Sequence, residues 1–142
     1  MKTYGRFYVS RIQKICARVL ERMLKKRKLD AFNGAQGRIL YVLWEHEKLS
    51  FSDVGKYTSL AKTTLTSMID RMEENGLVER IPDKEDRRQI YVSITEKARK
   101  YRQKYNQVSD EMSAIFYQGF RADEIRRLDA MLERILNNLE EA

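Results

Sequence analysis

The chain has 142 residues, with 28 Lys plus Arg against 21 Asp plus Glu and a formal net charge of +7. That length predicts one domain with a real core, and the basic balance favours a polyanionic partner, a property that ribosomal and membrane-surface proteins share. No apolar run approaches the ~20 residues of a membrane span, no charged-then-apolar secretory segment opens the chain, and the one Cys excludes an internal disulfide framework and fits a reducing cytoplasm.

The first predicted element is a long helix over residues 2–28, in which Ile12, Ile15, Val19 and Met23 keep the helical period. Tyr4, Phe7 and Tyr8 crowd its start. Its end is basic, with Arg18, Arg22, Lys25, Lys26, Arg27 and Lys28. Such a run suits the negative end of a helix dipole, a reading preferred here to a phosphate contact. Cys16 lies between Ile12 and Val19, where a lone Cys usually packs as a small apolar residue. A loop follows over residues 29–34. Asn33 is the candidate cap of a helix over 35–47, whose apolar face is Ile39, Leu40, Leu43 and Trp44. His46 is the only His, and neither a metal site nor a His-based triad has the partners it needs. Leu49 is assigned to a short strand beside a later hairpin.

Residues 50–94 organise the rest. Residues 50–57 read as a short helix, with Ser50 or Ser52 as cap and Asp53 in its first turn. After a polar break at Thr58, Ser59 and Leu60, a second helix runs over residues 62–75. Leu65, Met68, Ile69 and Met72 form its buried stripe, so Lys62, Thr63, Thr66, Ser67 and Arg71 face outward. Asn75-Gly76 ends it. Two strands, 77–81 and 89–94, then enclose the charged loop Pro82-Asp83-Lys84-Glu85-Asp86-Arg87-Arg88. Two helices followed by a hairpin with a charged tip describe a winged helix-turn-helix, whose second helix enters a major groove.

Thr95 is the candidate cap of a long fifth helix that ends at Gly119. Ala98, Tyr101, Tyr105, Val108, Met112, Ile115 and Phe116 step along it at threes and fours. Asp123 opens the last helix, with the stripe Ile125, Leu128, Leu132, Ile135, Leu136 and Leu139. Apolar stripes on the first and last helices suggest a two-fold dimer.

Across residues 35–99 the chain carries Gln36-Gly37-Arg38-Ile39-Leu40, Thr63-Thr64-Leu65-Thr66, Arg71-Met72-Glu73-Glu74-Asn75-Gly76-Leu77-Val78-Glu79-Arg80, Asp83-Lys84-Glu85-Asp86-Arg87-Arg88 and Ile94-Thr95-Glu96-Lys97. In these motifs it resembles the MarR family of bacterial transcriptional regulators. The resemblance implies a mainly α fold with a small β wing: a winged helix-turn-helix over 35–96, plus dimerisation helices over 1–33 and 97–142, in one domain. It implies a homodimer on double-stranded DNA with an inverted-repeat operator, and a repressor released by a small aromatic or phenolic effector. Lys62, Thr63, Thr64, Thr66, Ser67 and Arg71 would then meet the duplex, Arg88 would enter a minor groove oriented by Asp86, and Arg87 would sit near a phosphate. One departure stands out: Ala61 occupies a position where the family often has Ser or Thr, so the reading helix lacks its usual side-chain cap.

For the effector, the resemblance points to the junction of dimer and reading regions, where Tyr8, Arg11, Tyr41 and Trp44 are candidates; ordinary core aromatics are the other reading. A peroxide-sensing branch of the family keeps a reactive Cys on its first helix. Aligned on Leu43-Trp44-Glu45-His46, that position falls near Val9, about two turns from Cys16, which favours a structural thiol. No cofactor, metal or catalytic group is expected. Two rival readings remain, redox sensing through Cys16 and a helical interaction module that binds no DNA. Arg87 and Arg88 beside a Thr-rich helix argue against the module. An enzyme is disfavoured, because no nucleophile–base pair or metal cluster is apparent.

Overall fold

The computed structural model describes residues 1–29 and 31–142, so Asp30, in the predicted 29–34 loop, lies outside them. Two compact units divide the chain, Met1–Val108 and Ser109–Ala142. The order is α1 (Gly5–Lys26), α2 (Gly34–His46), β1 (Lys48–Ser50), α3 (Phe51–Thr58), α4 (Lys62–Glu74), β2 (Val78–Pro82), β3 (Ile90–Ile94), α5 (Glu96–Arg99), α6 (Arg102–Phe116) and α7 (Ala122–Glu140).

Local chemistry sets most of these boundaries. Asn33 and Gln36 form a capping box at the start of α2: the Asn33 side chain accepts the Gln36 N–H at 2.8 Å, and the Gln36 side chain accepts the Asn33 N–H at 3.1 Å. Glu21 on α1 accepts the Gly34 N–H, which ties α1 to the same helix end. Ser50 caps α3 by accepting the Asp53 N–H at 3.1 Å. Gly76, at φ +74°, turns the chain from α4 into β2, a conformation that a side chain would strain. The Thr95 hydroxyl donates to the Gly76 carbonyl at 2.6 Å, which closes the base of the hairpin.

The sheet has the order β1-β3-β2, all antiparallel, with Val92 of β3 flanked by Leu49 and Arg80. Pro82 is the last residue of β2 and pairs with Ile90, which an edge strand tolerates because no ladder N–H is needed on its outer side. Beneath the sheet, Ile39, Leu40 and Leu43 of α2, Val54 of α3, and Leu65, Ile69 and Met72 of α4 are buried in one cluster with Leu77, Val78 and Val92. An aromatic layer of Phe32, Trp44 and Tyr105 extends that core. It packs so closely on α2 that a Cβ on Gly37 would lie 2.8 Å from the Tyr105 ring.

One predicted element is corrected. The single long fifth helix after Thr95 is a one-turn α5, a turn at Lys100 and Tyr101, and then α6. Thr95 does cap it, accepting the Ala98 N–H at 3.2 Å. The break has a physical cause at the Ala98 carbonyl, which accepts the Tyr101 N–H at 3.1 Å and the Trp44 indole N–H at 3.1 Å. Both lone pairs are taken, so no regular helical bond can continue from it. In the second unit, Gly119 at φ +84° ends the α6 segment, and Tyr117 donates to Asp129 of α7. That bond raises the Tyr117 pKa. No residue of α7 is buried.

Candidate nucleic-acid interface

The outer face of α4 follows from its inner one. With Leu65, Ile69 and Met72 buried, Lys62, Thr63, Thr64, Thr66, Ser67 and Arg71 are exposed. The Thr66 hydroxyl donates back to the Lys62 carbonyl at 2.8 Å. Its hydrogen is therefore engaged locally. Ala61 is the N-cap, in extended conformation and with no side-chain cap bond. The first N–H groups of α4 and the positive end of its dipole are thus uncapped, an arrangement that suits a phosphate oxygen.

The wing is built around Asp86. Its carboxylate accepts the Arg88 N–H at 3.0 Å and lies 3.6 Å from Arg88 Nε. The Arg88 side chain is 94% exposed. Asp86 therefore holds the backbone of Arg88 firmly and its guanidinium loosely, leaving the charge free to meet an anion. Asp83 and Gln89 close the tip through an Asp83 N–H bond to the Gln89 carbonyl at 3.0 Å, and Glu85 N–H bonds Asp83 at 2.9 Å. Arg87 is exposed beside them.

Between α3, α4 and the wing lies a groove of about 730 Å³ with Lys56, Lys62, Arg80 and Arg88 on its walls and Phe51, Leu60 and Leu65 on its floor. Lys56, Lys62 and Arg88 add their fields in one concavity, which favours a polyanion there, whereas Arg80 is paired with two carboxylates. Lys56 and Arg80 are absent from the DNA-contact candidates read from the sequence, although Arg80 closes one of the motifs that carry the resemblance. Arg80 reaches back from β2 to α4: one guanidinium nitrogen donates to Asp70 at 2.6 Å and another to Glu73 at 2.8 Å. Burial works against its charge, but the bonds to Asp70 and Glu73 outweigh that and hold its pKa above the ordinary arginine value. Asp70 and Glu73 precede Arg80 by ten and seven residues, so no periodicity links them; the reversal at Gly76 brings them opposite.

The four effector candidates fall into two pairs. Tyr41 and Trp44 lie against Tyr105, with ring centroids at 6.3 and 5.2 Å. Trp44 is 4% exposed, and its indole is engaged by Ala98. Tyr8 lies beside Tyr4 and Phe7 at the start of α1, and Arg11 sits over the Phe7 ring. Among the described residues, the two pairs share no ring contact. Cys16 is half-buried on α1. His46 stacks on Tyr57 at 5.2 Å. Among the described residues there is no group of three His, Cys, Asp or Glu able to hold a metal, and no helix long and apolar enough to cross a membrane.

A family model described as the MarR family matches residues 32–90. The HTH-type transcriptional repressor IacR of Pseudomonas putida is 31% identical over 134 residues, 94% of this chain and 78% of that protein. The chain belongs to the MarR family. A second relative, the organic hydroperoxide resistance transcriptional regulator of Bacillus subtilis, is 31% identical over 70% of this chain and 67% of its own length. Among solved structures, a mutant MarR from E. coli complexed with operator DNA superposes with a TM-score of 0.82 at 25% identity, covering 94% of this chain and 93% of that one. MarR family members are transcriptional regulators and not enzymes, and the mainly helical fold with a three-stranded wing is theirs.

Proposed function

We propose that this protein is a cytoplasmic, homodimeric repressor that binds an inverted-repeat operator through α4 and the wing and is released by a small aromatic or phenolic effector. The observation that carries the DNA reading is the cationic groove beside the exposed Thr-rich face of α4 and the free Arg88 guanidinium. The E. coli relative bound to operator DNA, alike over 94% of this chain, supports it. The region over 35–96 reads DNA, and those over 1–33 and 97–142 dimerise, all within one folding domain. Two-fold symmetry then places the reading helices in successive major grooves ~34 Å apart. Selection of bound duplexes from random DNA with the purified protein tests this: the expected outcome is an inverted repeat, and recovery of unrelated sequences with no repeat would refute it.

Support for the effector is narrower. Tyr41 is 44% exposed and touches Tyr105, which suits one wall of an aromatic site. Trp44 would report on such a site through the buried Tyr105 layer and not line it. Titrating phenolic acids should change Trp44 fluorescence and weaken DNA binding together; two flat titrations across a broad panel would exclude an effector of this class. A second reading, redox control through Cys16, draws on the similarity to the hydroperoxide resistance regulator. It is the weaker one, because Cys16 lies about two turns from the position the sensor branch uses and is half-buried on α1.

A further inference from the structure

We propose that Arg80 is a positioning residue for DNA recognition, a clamp through which Asp70 and Glu73 of the reading helix set the aim of the wing. The inference rests on the DNA-binding reading above and deepens it.

Three bonds make the clamp. Glu73 accepts the Arg80 main-chain N–H at 3.1 Å with one oxygen and its guanidinium at 2.8 Å with the other. Asp70 takes a second guanidinium nitrogen at 2.6 Å. The main-chain bond matters most, because it holds the strand itself and not merely a side chain. An exposed arginine ion pair contributes little, but this side chain is 23% exposed, and its planar fork is satisfied on two carboxylates at once. Lysine, a point charge, cannot reproduce that geometry.

The consequence is felt at the tip. The Asp83 and Asp86 turn bonds make the wing loop a self-contained unit on top of β2 and β3. An angular error in β2 is therefore carried whole to Arg88, whose ion pair among the described residues is with Asp86. The clamp also offsets part of the charge of Asp70, a half-exposed carboxylate one turn beyond Thr66, and so lessens its repulsion of phosphates.

The test is a double-mutant cycle on the full chain with a duplex recovered by selection. Arg80→Ala, Arg80→Lys and Glu73→Gln are each measured in the wild-type and the Arg88→Ala backgrounds, at several salt concentrations and with thermal melts alongside. In the wild-type background each should weaken binding roughly five- to tenfold and erase any preference for A·T pairs flanking the repeat; with Arg88→Ala present each should cost less than about twofold, since coupled residues are not additive. Preference within the half-site should persist. Arg80→Lys and Glu73→Gln keep the test alive should Arg80→Ala fail to fold. Equal losses in both backgrounds, or unchanged binding by all three, would overturn the clamp while leaving the DNA reading intact. A wild-type chain that binds no duplex would overturn both.

Discussion

Arg88 has its N–H on Asp86 and a side chain that is 94% exposed, with Nε 3.6 Å from the same carboxylate, an arrangement that presents a charge at the wing tip. Arg88→Ala should weaken binding to every sequence and flatten the dependence of log K on log salt by about two units per dimer, near 0.9 per lost contact. Asp86→Ala should be a milder version, because the charge survives without its aim. Electrophoretic shifts across a salt series check both, and an unchanged slope for Arg88→Ala would mean that the wing does not touch DNA. On α4 the expectation differs. Thr66 has its hydroxyl turned back on Lys62, so its methyl is the group left for thymine. Thr66→Val should keep the half-site preference, whereas Thr66→Ala and Arg71→Ala should alter it. Cys16→Ser should leave both DNA binding and any response to organic peroxide unchanged; a response lost in that variant would promote the redox reading.

The elements of the first unit are held by a small number of tertiary decisions. Ile69 has no exposed surface on the inner face of α4, and Ile69→Ala should cost about 2–5 kcal/mol of stability, read by denaturant unfolding. The α5–α6 corner depends on the Trp44 indole bond to Ala98. Trp44→Phe should destabilise the fold by about 1–3 kcal/mol, since it removes a buried donor and leaves a carbonyl short of a partner. Tyr105 shares that layer, and burial raises its phenol above the usual 10.0, against the lowering effect of Arg38. A raised value means that the folded state favours the neutral phenol. Its stabilising contribution is complete below pH 10 and is lost as pH climbs through the raised value. Tyr105→Phe should therefore shallow the alkaline loss of stability, measured as melting temperature against pH.

At the scale of the whole molecule, the second unit poses the plainest physical problem. Leu132, Ile135 and Leu139 of α7 are 36%, 50% and 68% exposed, and they fall on one stripe. Each such side chain gains about 1.5–3 kcal/mol on full burial, which makes a second copy of the chain the natural cover. On α1, Tyr8, Ile12 and Ile15 are exposed in the same manner. Sedimentation at micromolar concentration should report twice the chain mass, and Ile135→Glu should shift it towards the monomer and weaken binding to a full palindrome. A monomeric wild type that still binds the palindrome tightly would refute this.

Local chemistry is what the sequence determined unaided. Caps at Asn33, Ser50 and Thr95, the stripe on α4, the turn at Gly76 and the wing were all legible there, because each depends on neighbours within a few residues. Three features were decided by contacts between residues far apart in the chain. Trp44 broke the predicted fifth helix by capturing a carbonyl 54 positions away. The packing around it left Trp44 only 4% exposed, in one layer with Phe32 and Tyr105. Arg80 met Asp70 and Glu73 across a chain reversal, and with Lys56 it turned a line of scattered cations into one groove. Periodicity reports which face of an element is apolar; which polar groups meet across two packed elements depends on the angle and register of their packing, and that information exists only once the chain has folded.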